Sequence, residues 1–209
     1  VLKPLKVVIE NFPEGKIEWL PALNNPNSDK QEQREIPFSR EIWIEQDDFM
    51  EEPSKKFFRL APGKEVRLRY AFFVTCNAVI KDEDGEIVEL RCSYDPETRG
   101  GNAPDGRKVK GTIHWVSAEH AKDAEVRIYN SFYNTPSPGR ERDFIEDINP
   151  NSLEVLENCK IEPDLITLDD NVPIQFERLG YFYKDPDTTP EKHIYNRTIS
   201  LRDTWNKKL

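Results

Sequence analysis

At 209 residues the chain has room for one large domain or two small ones of roughly 100–150 residues each. Its net charge of -9 argues against a nucleic-acid surface spread over the whole molecule but leaves room for a local basic groove. With 36% hydrophobic and 33% charged residues, and no apolar run near the ~18 residues of a membrane helix, the composition is that of a soluble globular protein with no membrane partner.

The first residues, "VLKPLKVVIENF", carry no initiating Met and no charged-then-apolar signal sequence, so the chain is expected to be a piece of a longer protein. Cys76, Cys92 and Cys159 are odd in number and form no CxxC pair, which supports neither a disulfide framework nor a zinc site. Reduced thiols in a cytoplasmic protein are the expectation.

Along the chain the hydrophobic pattern has period two, the signature of strands. In "REIWIEQ", Ile42 and Ile44 fall on one face and Trp43 on the other. "EVRLRYAFFV" and "EIVELRCSY" are two further strands, joined through "KDEDGE" with the Asp-Gly chemistry of a hairpin turn. "RKVKGTIHWVS" alternates again, with Val109, Ile113 and Trp115 opposite Lys108, Lys110 and His114. "EVRIYNSFY", "VPIQFERLGYFY" and "HIYNRTISL" complete the set. Helical signals are brief: a single turn at "SAEHA" and another at "PNSLEVLEN". Short strands separated by Pro, Gly, Asn and Asp clusters predict an all-β protein built of sandwiches or barrels. The strongest punctuation is "DPETRGGNAPDGRK", Asp95 to Lys108, which is the natural boundary between two β units, 1–106 and 107–209.

No catalytic constellation is present in this sequence. His114, His120 and His193 have no metal-ligand partner at a useful spacing, and there is no phosphate-binding glycine loop. The expectation is a chain with no catalytic residue, no metal site and no cofactor of its own.

"KKFFRLAPGKEVRLRYAFFV" is different in kind. Arg67 and Arg69 alternate with Val66, Leu68 and Tyr70, so both guanidinium groups leave the strand on one side. An ordinary solvated strand face has the same pattern. A nucleic-acid surface uses it because the guanidinium fork bonds base edges or phosphates and also stacks. Single-stranded RNA is read by splayed bases, stacking and edge hydrogen bonds. Arg59, Phe57, Phe58 and Tyr70 add to those parts. A second polar cluster lies in "PIQFERLGYF", where Gln175 and Arg178 converge only if the strand ends or bulges near Gly180.

Six stretches taken together, "PLKVVIENFPEG", "REIPFSREIWIEQDDF", "RLAPGKEVRLRYAFFV", "DGRKVKGTIHWVS", "FERLGYFY" and "NRTISLRDTW", resemble the C-terminal anticodon-binding region of glutaminyl-tRNA synthetases. The resemblance runs over essentially the whole chain in order. The nearest alternatives are the same region of eukaryotic-type glutamyl-tRNA synthetases and an all-β protein-interaction module. The resemblance implies two six-stranded β-barrels of a ribosomal-protein-like type with exchanged terminal strands. It also implies a tRNA(Gln) anticodon loop as partner, a monomer, and a catalytic domain outside this chain that uses ATP and Mg. By residue, it implies Arg59 at the third anticodon base, Arg67 at the first, Arg69 as a further groove contact, Gln175 and Arg178 at the middle base, and Asn27 at the loop edge. The chain departs from the family pattern at Phe58, where the family often has lysine. A family arginine of the middle-base pocket falls ahead of Val1.

Overall fold

The structure, a computed structural model, describes residues 1–201. The last four residues of the "NRTISLRDTW" stretch lie outside them. Fourteen strands follow one another among the described residues: β1 (Pro4–Ile9), β2 (Glu18–Leu23), β3 (Gln33–Phe38), β4 (Glu41–Glu45), β5 (Glu65–Leu68), β6 (Phe73–Lys81), β7 (Ile87–Asp95), β8 (Thr112–Ile113), β9 (Val116–Ser117), β10 (Lys122–Tyr129), β11 (Leu153–Ile161), β12 (Ile174–Phe176), β13 (Gly180–Lys184) and β14 (His193–Ile199). Among the described residues there are short 3-10 turns and no α-helix, so the chain is all-β. Among the described residues no helix is long and apolar enough to cross a membrane.

The chain forms two compact units. The first holds Val1–Lys122 and Lys160–Leu165, the second Asp123–Cys159 and Ile166 onward. In the first, a seven-stranded sheet runs in the order β8-β5-β6-β7-β1-β4-β9, beside a two-stranded ribbon of β2 and β3. The second holds a five-stranded sheet in the order β11-β10-β14-β13-β12. The resemblance implies six strands per barrel; the described strands group in these numbers instead.

The units divide at Lys122/Asp123, sixteen residues beyond the expected 106/107. The reason is strand pairing. β8 runs parallel to β5, with Arg67 opposite Thr112 and Leu68 opposite Ile113. β9 pairs with β4 through Trp43 and Val116. Both strands after the expected boundary therefore complete the first sheet. The segment Lys160–Leu165 also belongs to the first unit, where Glu162 takes a bidentate hydrogen bond from Arg34 at 2.6 and 3.0 Å.

Period-two alternation positions the core of the first unit. Ile42 and Ile44 are fully buried while Trp43 is not. Phe12, Phe38 and Trp115 meet edge to face at 5.0 and 5.2 Å, inside a cluster that includes Leu68 and Ile113. The Asp-Gly turn closes a hairpin between β6 and β7, where Gly85 sits at φ +85 and Asp82 accepts the N–H groups of Asp84 and Glu86. But "EVRLRYAFFV", expected as one strand, is divided between β5 and β6 by a turn after Arg69 in which Tyr70 takes φ +62 and the Ala71 N–H bonds the Leu68 carbonyl. In the second unit Phe176 stacks on Phe182 at 4.3 Å, next to buried Tyr195. "SAEHA" makes its single turn, with Ala121 N–H bonded to the Ser117 carbonyl at 2.9 Å. The helical turn expected at "PNSLEVLEN" is overturned. The chain turns at Asn149–Ser152 and then extends as β11, because β10 offers a ladder that a single isolated helical turn cannot match.

Candidate nucleic-acid interface

β5 places the central arginine. Val66 and Leu68 are buried at 2% and 0%, so Arg67 between them must point outward. Its N–H bonds the Gly111 carbonyl at 2.9 Å, and the Arg69 N–H bonds the Ile113 carbonyl at 3.0 Å. Those bonds tie β5 to the 110–113 segment. The same segment carries the Phe58 loop: a Cβ on Gly111 would lie 2.0 Å from the Phe58 carbonyl oxygen, so the two backbones are pressed together. Contacts therefore run from the Arg59 loop through Gly111 to Arg67 and Arg69. The structure brings these three arginines into one neighbourhood of the first unit.

Each arginine is held differently. Arg59 donates from Nη1 to the Asp47 carbonyl at 2.9 Å, and its Nε lies 3.4 Å from Oδ1 of buried Asp48. Arg69 precedes a sharp turn in which Tyr70 adopts φ +62, and its guanidinium lies 5.7 Å from the Tyr70 ring centroid. The Trp115 indole N–H locks that turn by donating to the Arg69 carbonyl at 2.9 Å. Arg67 lies over the buried Phe73 ring at 5.4 Å. Its Nε is buried and has no hydrogen-bond partner among the described residues.

Arg67 also enters none of the described ion pairs, unlike many other arginines of the chain. Arg34, Arg40, Arg91, Arg99 and Arg127 each contact a carboxylate, and Arg107 contacts three. Arg107 is held firmly protonated by Glu65 first, then by Asp95 and Asp105. A buried donor without an acceptor costs about 1–3 kcal/mol.

Phe58, half exposed, has the Lys110 amino group 5.0 Å from its ring centroid. Where the family pattern leads one to expect a lysine, this surface carries an aromatic ring with a lysine from another segment over it.

In the second unit, β12 ends at Phe176 and the chain turns through Leu179, whose N–H bonds the Phe176 carbonyl at 2.9 Å. Arg178 takes φ +64 in this turn. Gly180 is required next, since a Cβ there would lie 2.3 Å from the Ile199 carbonyl oxygen. Gln175 is exposed and pairs across the hairpin with Tyr181, while Arg178 is 3.9 Å from Glu177. The break expected near Leu179-Gly180 is a turn that begins after Phe176 and ends at Gly180, where β13 starts. Tyr70 and Arg178 are the two non-glycine residues at positive φ among those described; Arg178 is a predicted site residue and Tyr70 follows another, Arg69. Such backbone costs about 1–3 kcal/mol and clusters at functional sites.

Asn27 stands apart from this arrangement. It is exposed in the loop between β2 and β3, where its N–H bonds Asn25 Oδ1 at 3.0 Å. None of the described hydrogen bonds, ion pairs or ring contacts joins it to the arginines.

Sequence reasoning missed Phe73, Gly101, Arg107 and Lys110. The signal for two of them was present: the "RGG" and "DGR" of the loop between β7 and β8 read as boundary punctuation, whereas that loop packs on Arg67. Among the described residues no group of three His, Cys, Asp or Glu side chains stands close enough to hold a metal ion.

Residues 1–95 and 112–185 each match a family model described as tRNA synthetases class I (E and Q), anti-codon binding domain. The glutamine–tRNA ligase of Bradyrhizobium diazoefficiens is 59% identical over the whole chain, that of Nitrobacter winogradskyi 56% over 99% of it, and that of Aliivibrio salmonicida 53% over 98% of it. The chain spans 37% of the length of each of these relatives. An all-β chain with an outward arginine strand, matched by these models along most of its length, belongs to the anticodon-binding domain family of the class I glutamyl- and glutaminyl-tRNA synthetases.

Proposed function

We propose that this chain is the anticodon-reading part of a glutamine–tRNA ligase and that its partner is the anticodon loop of tRNA(Gln). The observation that carries the reading is the Arg67 guanidinium, held over an aromatic ring on a partly buried side chain that enters none of the described ion pairs, in a chain of net charge -9. A planar fork in that state is ready to bond an unstacked base edge bidentately. The names of the relatives favour glutamine over glutamate as the amino acid of the parent protein.

In this reading Arg67 bonds the first anticodon base and Arg59 the third, with Arg59 aimed by Asp48. Arg69 adds a groove contact beside Tyr70. Phe58 stacks, and Lys110 supplies the cation that a family lysine supplies elsewhere. Gln175 and Arg178 serve the middle base and Asn27 the loop edge. Activation of glutamine with ATP and Mg takes place in a catalytic domain outside this chain, in a monomeric cytoplasmic enzyme. The test is a titration of the chain with tRNA(Gln) and with the same tRNA carrying a substituted anticodon. The reading requires tighter binding of the first, and equal binding contradicts it.

A further inference from the structure

We infer that Gly101 and Arg107, in the loop between β7 and β8, are positioning residues for Arg67 and set the discrimination at the nucleotide it contacts. The inference rests on the reading of Arg67 as a base contact.

Gly101 is buried and sits at φ +88. A Cβ built there would lie 2.8 Å from Arg67 Cδ and 3.1 Å from its Nε. The Gly101 backbone therefore lies against the arginine stem and holds the guanidinium over Phe73. Any side chain at 101 displaces it. The loop itself is pinned. Gly101 N–H bonds the Thr98 carbonyl at 2.8 Å. The buried Thr98 hydroxyl accepts the Phe73 N–H at 2.8 Å and donates to the Asp95 carbonyl at 2.7 Å.

Arg107 acts by charge. Glu65 and Arg67 leave β5 on the same face two residues apart, so Glu65 is the natural partner for Arg67. Arg107 takes Glu65 instead, with Nε and Nη2 at 3.0 Å from its two oxygens. It also takes Asp105 at 2.7 Å, and Asp95. Its guanidinium carbon lies 5.4 Å from the centroid of the same Phe73 ring that Arg67 covers. With three carboxylates engaged by Arg107, Arg67 enters none of the described ion pairs. Gly101 fixes where Arg67 points, and Arg107 keeps Glu65 from pairing with it.

The experiment uses the full-length protein that carries this chain. Binding is measured for tRNA(Gln) and for tRNAs substituted at each anticodon position, with wild type, Arg67→Ala, Gly101→Ala, Arg107→Gln, Arg107→Lys and the double variant Gly101→Ala/Arg67→Ala. Gly101→Ala and Arg107→Gln are each expected to reduce discrimination at the Arg67-dependent position by roughly 10-fold. Discrimination at the other two positions should hold. Arg107→Lys should restore part of the loss, and Gly101→Ala should add nothing once Arg67 is gone. Uniform weakening of all tRNAs, or a Gly101→Ala effect that persists without Arg67, overturns the inference. If Gly101→Ala fails to fold, Arg107→Gln decides alone. If Arg67→Ala itself leaves discrimination intact at every position, the reading of Arg67 has failed. If Arg67→Ala relaxes it and neither loop variant does, only the positioning inference has failed.

Discussion

Arg59 Nε stands 3.4 Å from Asp48 Oδ1, and Asp48 is buried at 4% exposure. A carboxylate in that position aims the guanidinium rather than merely balancing its charge. Asp48→Asn keeps the shape and removes the charge. Breaking a fully buried pair costs about 3–5 kcal/mol, and the cost here is smaller because Arg59 is in part solvent-accessible. The expected loss is about 1–3 kcal/mol in urea unfolding, together with weaker tRNA binding. Unchanged binding with a loss of stability would show Asp48 to be structural only.

Gly111 makes a purely steric prediction. Its φ is unremarkable, but a Cβ would meet the Phe58 carbonyl oxygen at 2.0 Å. Gly111→Ala must push apart the two segments that carry Phe58 and Lys110. Overpacking of this kind typically costs about 1–3 kcal/mol. Gly106→Ala is the control, since its Cβ meets nothing within 4 Å and only its φ of +74 is strained. Unfolding midpoints should fall further for Gly111→Ala, and tRNA affinity should fall only there.

The Arg107 cluster predicts an acid limb. Asp95 is held below the usual aspartate value of 3.8, chiefly by the Arg107 guanidinium and then by the Glu97 N–H. Asp105 is lowered by the Arg107 N–H and then by its guanidinium. A depressed folded value means that the unfolded chain takes up protons first as pH falls. The stabilisation is therefore complete above the ordinary aspartate value and is lost as pH drops through the folded one. Urea midpoints followed from about pH 6 to about pH 2.5 should fall less steeply in Arg107→Gln than in wild type. Parallel curves would mean that the cluster contributes nothing to folding.

Salt dependence separates a confined groove from a polycationic surface. Each phosphate contact on single-stranded RNA contributes a slope of about -0.7 in log affinity against log salt. Three or four contacts near Lys55, Lys56, Lys108 and Lys110 therefore predict a slope of about -2 to -3. A slope near -10 would belong to a broad basic face, which a chain of net charge -9 has no obvious means to build.

Much of the frame was legible in period-two alternation. Ile42, Ile44, Val66 and Leu68 are buried as their spacing requires, and Asp-Gly closes the β6–β7 hairpin. β11 was not legible. Leu153 and Leu156 stand at helical spacing, and only the neighbouring β10 decides for a strand. The loop after Asp95 was legible as a break, and the matched family domains end at 95 and resume at 112 on either side of it, but Gly and Pro announce a turn without saying which compact unit the following strands join. The outward placement of Arg67 could be read from Val66 and Leu68. Its absence from the described ion pairs could not, because that depends on Arg107 reaching Glu65 across 42 positions of sequence. Charge pairing at that separation leaves no local pattern.

The central claim is that the β5 arginine reads a base. The measurement is the affinity of the full-length protein, wild type and Arg67→Ala, for tRNA(Gln) and for the same tRNA changed at its first anticodon base. Arg67→Ala should weaken cognate binding by about 1–3 kcal/mol and leave binding of the changed tRNA almost as it was. Equal weakening of both tRNAs would make Arg67 a phosphate contact, and no weakening of either would make β5 an ordinary solvated strand.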